Sequence, residues 1–197
     1  MYKLGITGGI GSGKSTAALY YGDKGKSYIF NADREAKRHL KETSSLQHKI
    51  INAFGDSVTE NNKLSIKNLA EVAFKSQIEQ KILNGLMWPE VFVLIENEIK
   101  RCQSENIKLF ILDAAMIFEG NFQHMLDSTL LISSRKENRI DRALKRKNLH
   151  LEQIQNRMSL QMSEKMKKDK ADSVILNNSS IDSFYEKLDS FYKSLSL

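Results

Sequence analysis

Residues 8–15, Gly-Gly-Ile-Gly-Ser-Gly-Lys-Ser, fit the pattern G-x-x-x-x-G-K-[ST]. They follow a short apolar run at 2–7, YKLGIT, that reads as a buried strand, and lead into a segment from Ser12 to about Gly22 that reads as a helix. Gly9, Gly11 and Gly13 allow a tight loop whose N–H groups turn inward as a nest for an anion, and Ser12 sits within it. The start of the helix adds partial positive charge, next to Ser15 and Thr16. Lys14 has the reach to meet the β- and γ-phosphates of a nucleotide, and the Ser15 hydroxyl is a magnesium ligand in such loops. A chain with this strand–loop–helix unit is committed to an α/β fold with its anion site at the carboxyl end of the first strand.

Four more short apolar segments follow, at Tyr28–Phe30, Leu109–Leu112, Ser128–Ile132 and Ser173–Leu176. Helical patterns separate them, so the expected architecture is a five-stranded parallel sheet with helices on both faces. From Leu46 to Gln103 the pattern is almost entirely helical, too long for one crossover, and is expected to form a side lobe. The stretch 91–95, VFVLI, is locally strand-like, but its continuation favours a helix entered after Pro89, the only proline. Arg135–Lys147 and Leu151–Gln161 read as polar helices followed by a Lys-rich run, and Ile181–Leu195 as a closing helix.

Lys and Arg number 30 and Asp and Glu 24, a net charge of +6. The excess is local: residues 135–170 hold 12 basic and 5 acidic residues, +7, which leaves −1 for the remainder. A nucleic-acid module would need aromatics interleaved with those charges or a groove-reading motif; the segment contains no Phe, Tyr or Trp. One cysteine, Cys102, rules out an internal disulfide framework, and the four histidines show no zinc spacing. The N-terminus has no apolar h-region and no run is long enough to span a bilayer, so a soluble cytoplasmic protein, a monomer or weak homo-oligomer without membrane or nucleic-acid partners, is expected.

The phosphate loop by itself fits a GTPase, an ATPase motor or a small-molecule kinase. There is no Asn-Lys-x-Asp motif, and Asp113 is followed by Ala114-Ala115-Met116 instead of an Asp-x-x-Gly switch. The chain is short for a motor, which leaves a kinase acting on a small acceptor.

The opening GITGGIGSGKST resembles that of the dephospho-CoA kinase family. Four further segments match it in order: Asn31–Ala36 (D-A-D-x-I-A), Phe110–Glu119 (V-x-D-x-P-L-L-F-E), Arg142-x-x-x-Arg146 with Gln161 downstream, and Ala171–Asn178 (A-D-x-V-I-x-N-x-G). The resemblance implies a three-layer P-loop kinase fold with a core at about 1–45, 104–134 and 171–197, a substrate lobe at 46–103 and a basic lid at 135–170. It implies ATP with Mg²⁺ as phosphoryl donor and the ribose 3′-hydroxyl of dephospho-CoA as acceptor; another small acceptor, such as a nucleoside or nucleotide, is the alternative.

By that resemblance Asp33 is the general base, and Lys14 and Arg142 are the other catalytic groups. ATP is expected on Gly9, Gly11, Ser12, Gly13, Lys14, Ser15, Thr16, Arg142 and Arg146, with Mg²⁺ on Ser15. Arg142 and Arg146, four apart on one helix face that Arg139 shares, suit a clamp on the transferring phosphoryl group. The acceptor is expected on Asp33, Trp88, Asp113 and Glu119. Gln161 and Asn177 match in position without an evident chemical role. Departures from the family pattern include Asn31 for the first Asp, Trp88 for a His before Pro89, Ala114-Ala115-Met116-Ile117 for x-P-L-L, with the loss of a rigid turn residue, and Lys147 for an Asp. Lys145 and Lys147 are expected to face solvent.

Overall fold

The structure is a computed structural model that describes residues 1–146 and 149–195. In chain order its elements are β1 (Tyr2–Thr7), α1 (Lys14–Gly22), β2 (Ser27–Asn31), α2 (Ala32–Glu42), α3 (Ser44–Phe54), β3 (Thr59–Glu60), β4 (Lys63–Leu64), α4 (Ile66–Ala73) and α5 (Gln77–Ser104). There follow β5 (Leu109–Asp113), β6 (Ser128–Ser133), α6 (Lys136–Lys145), α7 (Leu151–Ser159), α8 (Glu164–Lys170), β7 (Ser173–Leu176) and α9 (Ile181–Ser194).

The five apolar segments form one parallel sheet in the order β2-β5-β1-β6-β7. Alternate residues feed opposite layers, as the pleat demands. Leu109 and Ile111 of β5 join Leu4, Ile6, Leu130 and Ile132 against α1 and α9. Phe110 and Leu112 join Phe30 against Val91, Ile95 and Cys102 of α5. The result is a three-layer α/β sandwich, as expected from the sequence. A third, smaller cluster, with Leu40, Leu46, Ile50, Val58, Leu69 and Ala73 at its centre, packs α2 to α4 around the first half of α5. This helical block therefore has its own core, while the second half of α5 belongs to the sheet.

Two local features differ from the sequence reading. The helix α5 does not begin after Pro89; it runs through it from Gln77. Pro89 removes only the bond to the Gly85 carbonyl, and both residues lie on the exposed side, where that carbonyl is open to solvent. Within the supposedly all-helical stretch, β3 and β4 form a small antiparallel hairpin. Its turn is Asn61-Asn62 with φ of 51° and 59°, the left-handed pair that a two-residue hairpin needs and that asparagine tolerates.

β1 is central in the sheet, so the loop that leaves it lies above the middle of the carboxyl edge. The same edge carries Asn31, Asp113 and Ser133. The basic segment follows β6 as α6, α7 and α8. Helix α6 packs directly on the phosphate loop: a side chain at Gly11 would run into the Arg139 backbone. Lys147, expected in solvent, lies outside the described residues, as do Asn148, Ser196 and Leu197. No helix among the described residues is long and apolar enough to cross a membrane.

Candidate active site

The loop conformation follows from its glycines. Gly11 and Gly13 take φ of 76° and 102°, a region that L side chains rarely adopt. Gly13 is the N-cap of α1, so Lys14, Ser15 and Thr16 occupy the first helical turn, with Lys14 projecting over the sheet edge. Lys14 Nζ lies 2.6 Å from Asp113 Oδ1 and 3.8 Å from Asp33 Oδ2. The two carboxylates have opposite environments: Asp113 is 2% exposed and Asp33 61%. Asp33 stands in the first turn of α2, where the helix dipole favours a carboxylate. The sequence thus located three side chains from three elements that the fold brings into one ion-pair cluster.

Asp113, expected as an acceptor contact, is buried and bonded within the protein. One carboxylate oxygen is held by Lys14 and the other accepts from Asn31 Nδ2 at 2.7 Å. Each oxygen thus has one protein partner, and Asp113 is the nearer of the two carboxylates to Lys14. Glu119, also expected as an acceptor contact, joins two parts of the protein. Its Oε1 accepts from Met162 N at 2.8 Å and pairs with Lys167 at 3.1 Å, tying the return of the basic segment to the 113–119 turn. Trp88 is half-buried, packed with the cluster between α5 and the sheet.

The arginines also divide. Arg142 donates to Ser12 O at 3.5 Å, Ser134 Oγ at 3.3 Å, and Asn177 O and Oδ1 at 3.1 and 3.4 Å. Its guanidinium buttresses the loop from the side of β7. Asn177 completes that support, donating from Nδ2 to Ser12 O at 2.8 Å. Arg146 ends α6 and, with Gly11, Gly13, Thr16, Arg142 and Asn177, lines a cleft of about 370 Å³.

Arg139 is the guanidinium closest to the start of the loop. It donates from Nε to Ile10 O at 3.1 Å and from Nη1 to Glu164 at 3.0 Å, and a side chain at Gly9 would strike it. Burial pushes its affinity for a proton down. Together with Gly9, Gln161, Glu164 and Lys167 it lines a second space of about 680 Å³ behind α6. Lys167 is 1% exposed, and burial lowers its pKa against the opposing pull of Glu119. Gln161 Oε1 is buried there without a partner. Nothing in the Lys-rich run 165–170 marks Lys167 as its one buried member; only the packing of α8 selects it.

Among the described residues no group of three or more His, Cys, Asp or Glu could hold a metal ion. Asp113 is engaged by Lys14 and Asn31, and Ser15 is half-buried in the first turn of α1. The donor set therefore suits a divalent ion carried in by phosphates, with the Ser15 hydroxyl as the protein's contribution.

A dephospho-CoA kinase family model matches residues 2–183. The chain belongs to the dephospho-CoA kinase family. Family relatives align along almost the whole length. The dephospho-CoA kinase of Fusobacterium nucleatum is 31% identical over 193 residues, covering 98% of this chain and 97% of that one. That of Salinibacter ruber is 32% identical over 193 residues, covering 98% and 96%. A crystal structure of a Thermus thermophilus protein superposes with a TM-score of 0.79 at 28% identity, covering 100% of this chain and 98% of that one. The dephospho-CoA kinase fold thus extends through the sheet, the helical block and the basic segment.

Proposed function

We propose that the protein transfers the γ-phosphoryl group of MgATP to the ribose 3′-hydroxyl of dephospho-CoA, forming coenzyme A and ADP. The observation that carries this reading is Lys14 Nζ, poised between buried Asp113 at 2.6 Å and exposed Asp33 at 3.8 Å. Donor and acceptor machinery meet at that one ammonium.

In this reading the loop N–H groups of Gly11–Ser15 and the α1 dipole bind the β- and γ-phosphates, with Thr16, Arg142 and Arg146 on the nucleotide cleft. Ser15, with the ATP phosphates, would hold a magnesium ion, which would supply neutralisation of the charge that develops on the transferred group. Asp33 accepts the 3′-hydroxyl proton as the new O–P bond forms, and the bond from Pγ to the ADP oxygen breaks in line. Lys14 follows the charge onto the ADP side. Asp113 keeps Lys14 aimed, and Arg142 keeps the loop in shape through Ser12 and Asn177. Trp88 lies on the acceptor side of α5 as an apolar wall. The partners are two small molecules, and the protein works in the cytoplasm as a monomer or weak homo-oligomer.

A coupled ADP-release assay with dephospho-CoA tests the proposal, with the phosphorylated product identified by mass. Folded, ATP-binding protein that releases ADP no faster with dephospho-CoA than without it would defeat the reading.

A further inference from the structure

Asn31 ends β2 and caps α2, and both ends of its side-chain amide are used. Its Oδ1 accepts from Arg34 N at 2.9 Å, and its Nδ2 donates to Asp113 Oδ2 at 2.7 Å. Asn31 and Asp113 are register partners on adjacent parallel strands, so the bond across the sheet edge is short and direct. The other oxygen of Asp113 holds Lys14, and Lys14 faces Asp33 in the helix turn that Asn31 caps. The contacts close a ring: residue 31, Asp113, Lys14, Asp33, and back through the first turn of α2.

We infer that Asn31 is a positioning residue whose amide fixes Asp33 relative to Lys14. The inference rests on the roles given to those two residues above. Three groups in the ring are charged: Lys14 from α1, Asp33 from α2 and Asp113 from β5. Asn31 is the neutral member, and its chemistry is specific. A neutral side chain with an acceptor on one branch and a donor on the other caps α2 and satisfies Asp113 together, with no proton taken up. A carboxylate at 31 would cap the helix equally well but would place one oxygen at hydrogen-bond distance from Asp113 Oδ2. Two such carboxylates cannot both stay ionised; they share a proton. The amide brings no such proton to the site.

Two variants test this without disturbing the cap. Asn31→Ser keeps a capping oxygen and loses the donor to Asp113. Its kcat with dephospho-CoA should fall by about tenfold, the scale of a hydrogen bond to a charged group, with less change in KM for ATP. Asn31→Asp keeps the cap and needs a shared proton. The new carboxyl pair has a raised folded-state pKa, so stability is present at low pH and lost as pH rises. The gap in Tm between wild type and Asn31→Asp should therefore widen from about pH 5 to about pH 8, above the ordinary carboxyl pKa. Its kcat should fall over the same range relative to wild type. An Asn31→Ser enzyme with wild-type kcat, or an Asn31→Asp melting gap constant across that range, overturns the inference. The melting comparison needs no acceptor. A wild type inert towards dephospho-CoA would thus defeat the functional reading, while the melting gap alone would still decide whether residue 31 and Asp113 meet as described.

Discussion

The ammonium of Lys14 lies 2.6 Å from the carboxylate of Asp113, whose side chain is 2% exposed. A buried charge is tolerable when paired and expensive when its partner is removed. Lys14→Ala should therefore lower stability by about 3 kcal/mol, even though the residue serves catalysis. Asn31 still bonds one Asp113 oxygen, which tempers the loss. Adding Asp113→Asn should restore most of it, because an amide needs no counter-charge. Urea unfolding of the two single variants and the double variant measures the coupling. A Lys14→Ala protein as stable as wild type would count against the pair.

Asp33 carries a different signature. At 61% exposed it can meet a substrate, and its loss leaves no buried group stranded. Asp33→Asn should lower kcat by about a hundredfold or more, the usual contribution of a general base, while ATP affinity stays near wild type. Steady-state kinetics with isothermal titration of ATP separates these quantities. A variant with unchanged kcat removes Asp33 from the chemistry.

Gly13 has φ of 102°, and a Cβ there would meet the Asn177 amide that supports Ser12 O. Gly13→Ala combines left-handed strain with displacement of that support, a cost of about 1–3 kcal/mol. The loop should open, and ATP should bind at least about tenfold more weakly, since each 1.4 kcal/mol is a factor of ten. Near-normal nucleotide affinity by titration calorimetry would show that the glycine is dispensable.

Lys167 and Glu119 form a second buried pair, 3.1 Å apart, between α8 and the 113–119 turn. Lys167→Met alone should destabilise by about 3–5 kcal/mol by stranding Glu119, and adding Glu119→Gln should recover part of it. Burial holds the Lys167 pKa below its ordinary value. The folded state therefore gives up that proton before the unfolded chain does, and wild-type stability relative to Lys167→Met should rise with pH towards about 10.4, the free lysine value. Denaturant unfolding of both proteins at neutral and alkaline pH checks the direction; a constant difference would refute it.

The elements that carry the site were legible because their signals are local. A run of apolar residues ending in Gly8-Gly9 can form only a strand that stops there, and Gly13-Lys14-Ser15 supplies its own helix start. Asp33 and Asp113 were legible as strand-end residues for the same reason. The Asn61-Asn62 hairpin was also a local signal, but the helical periodicity on either side obscured it. Pro89 misled because its cost inside a helix depends on where the freed Gly85 carbonyl points, which is a matter of exposure and not of sequence.

The side chains of the basic segment show the same limit. Spacing put Arg139, Arg142 and Arg146 on one helix, yet α6 lies across the phosphate loop and sends Arg139 to Ile10 O and Arg142 to Ser12 O and Asn177. Asn31 was visible only as an altered residue; its bond to Asp113 spans 82 positions.

The sequence by itself determined the α/β class, the five strands, the phosphate loop and the family, because each rests on contacts between near neighbours or on an ordered set of short motifs. Only the tertiary structure decided which carboxylate Lys14 holds, which lysine of the 165–170 run is buried, and what each arginine touches. Those outcomes depend on strand register and helix docking, where a shift of a few ångströms separates a solvated charge from a buried, paired one.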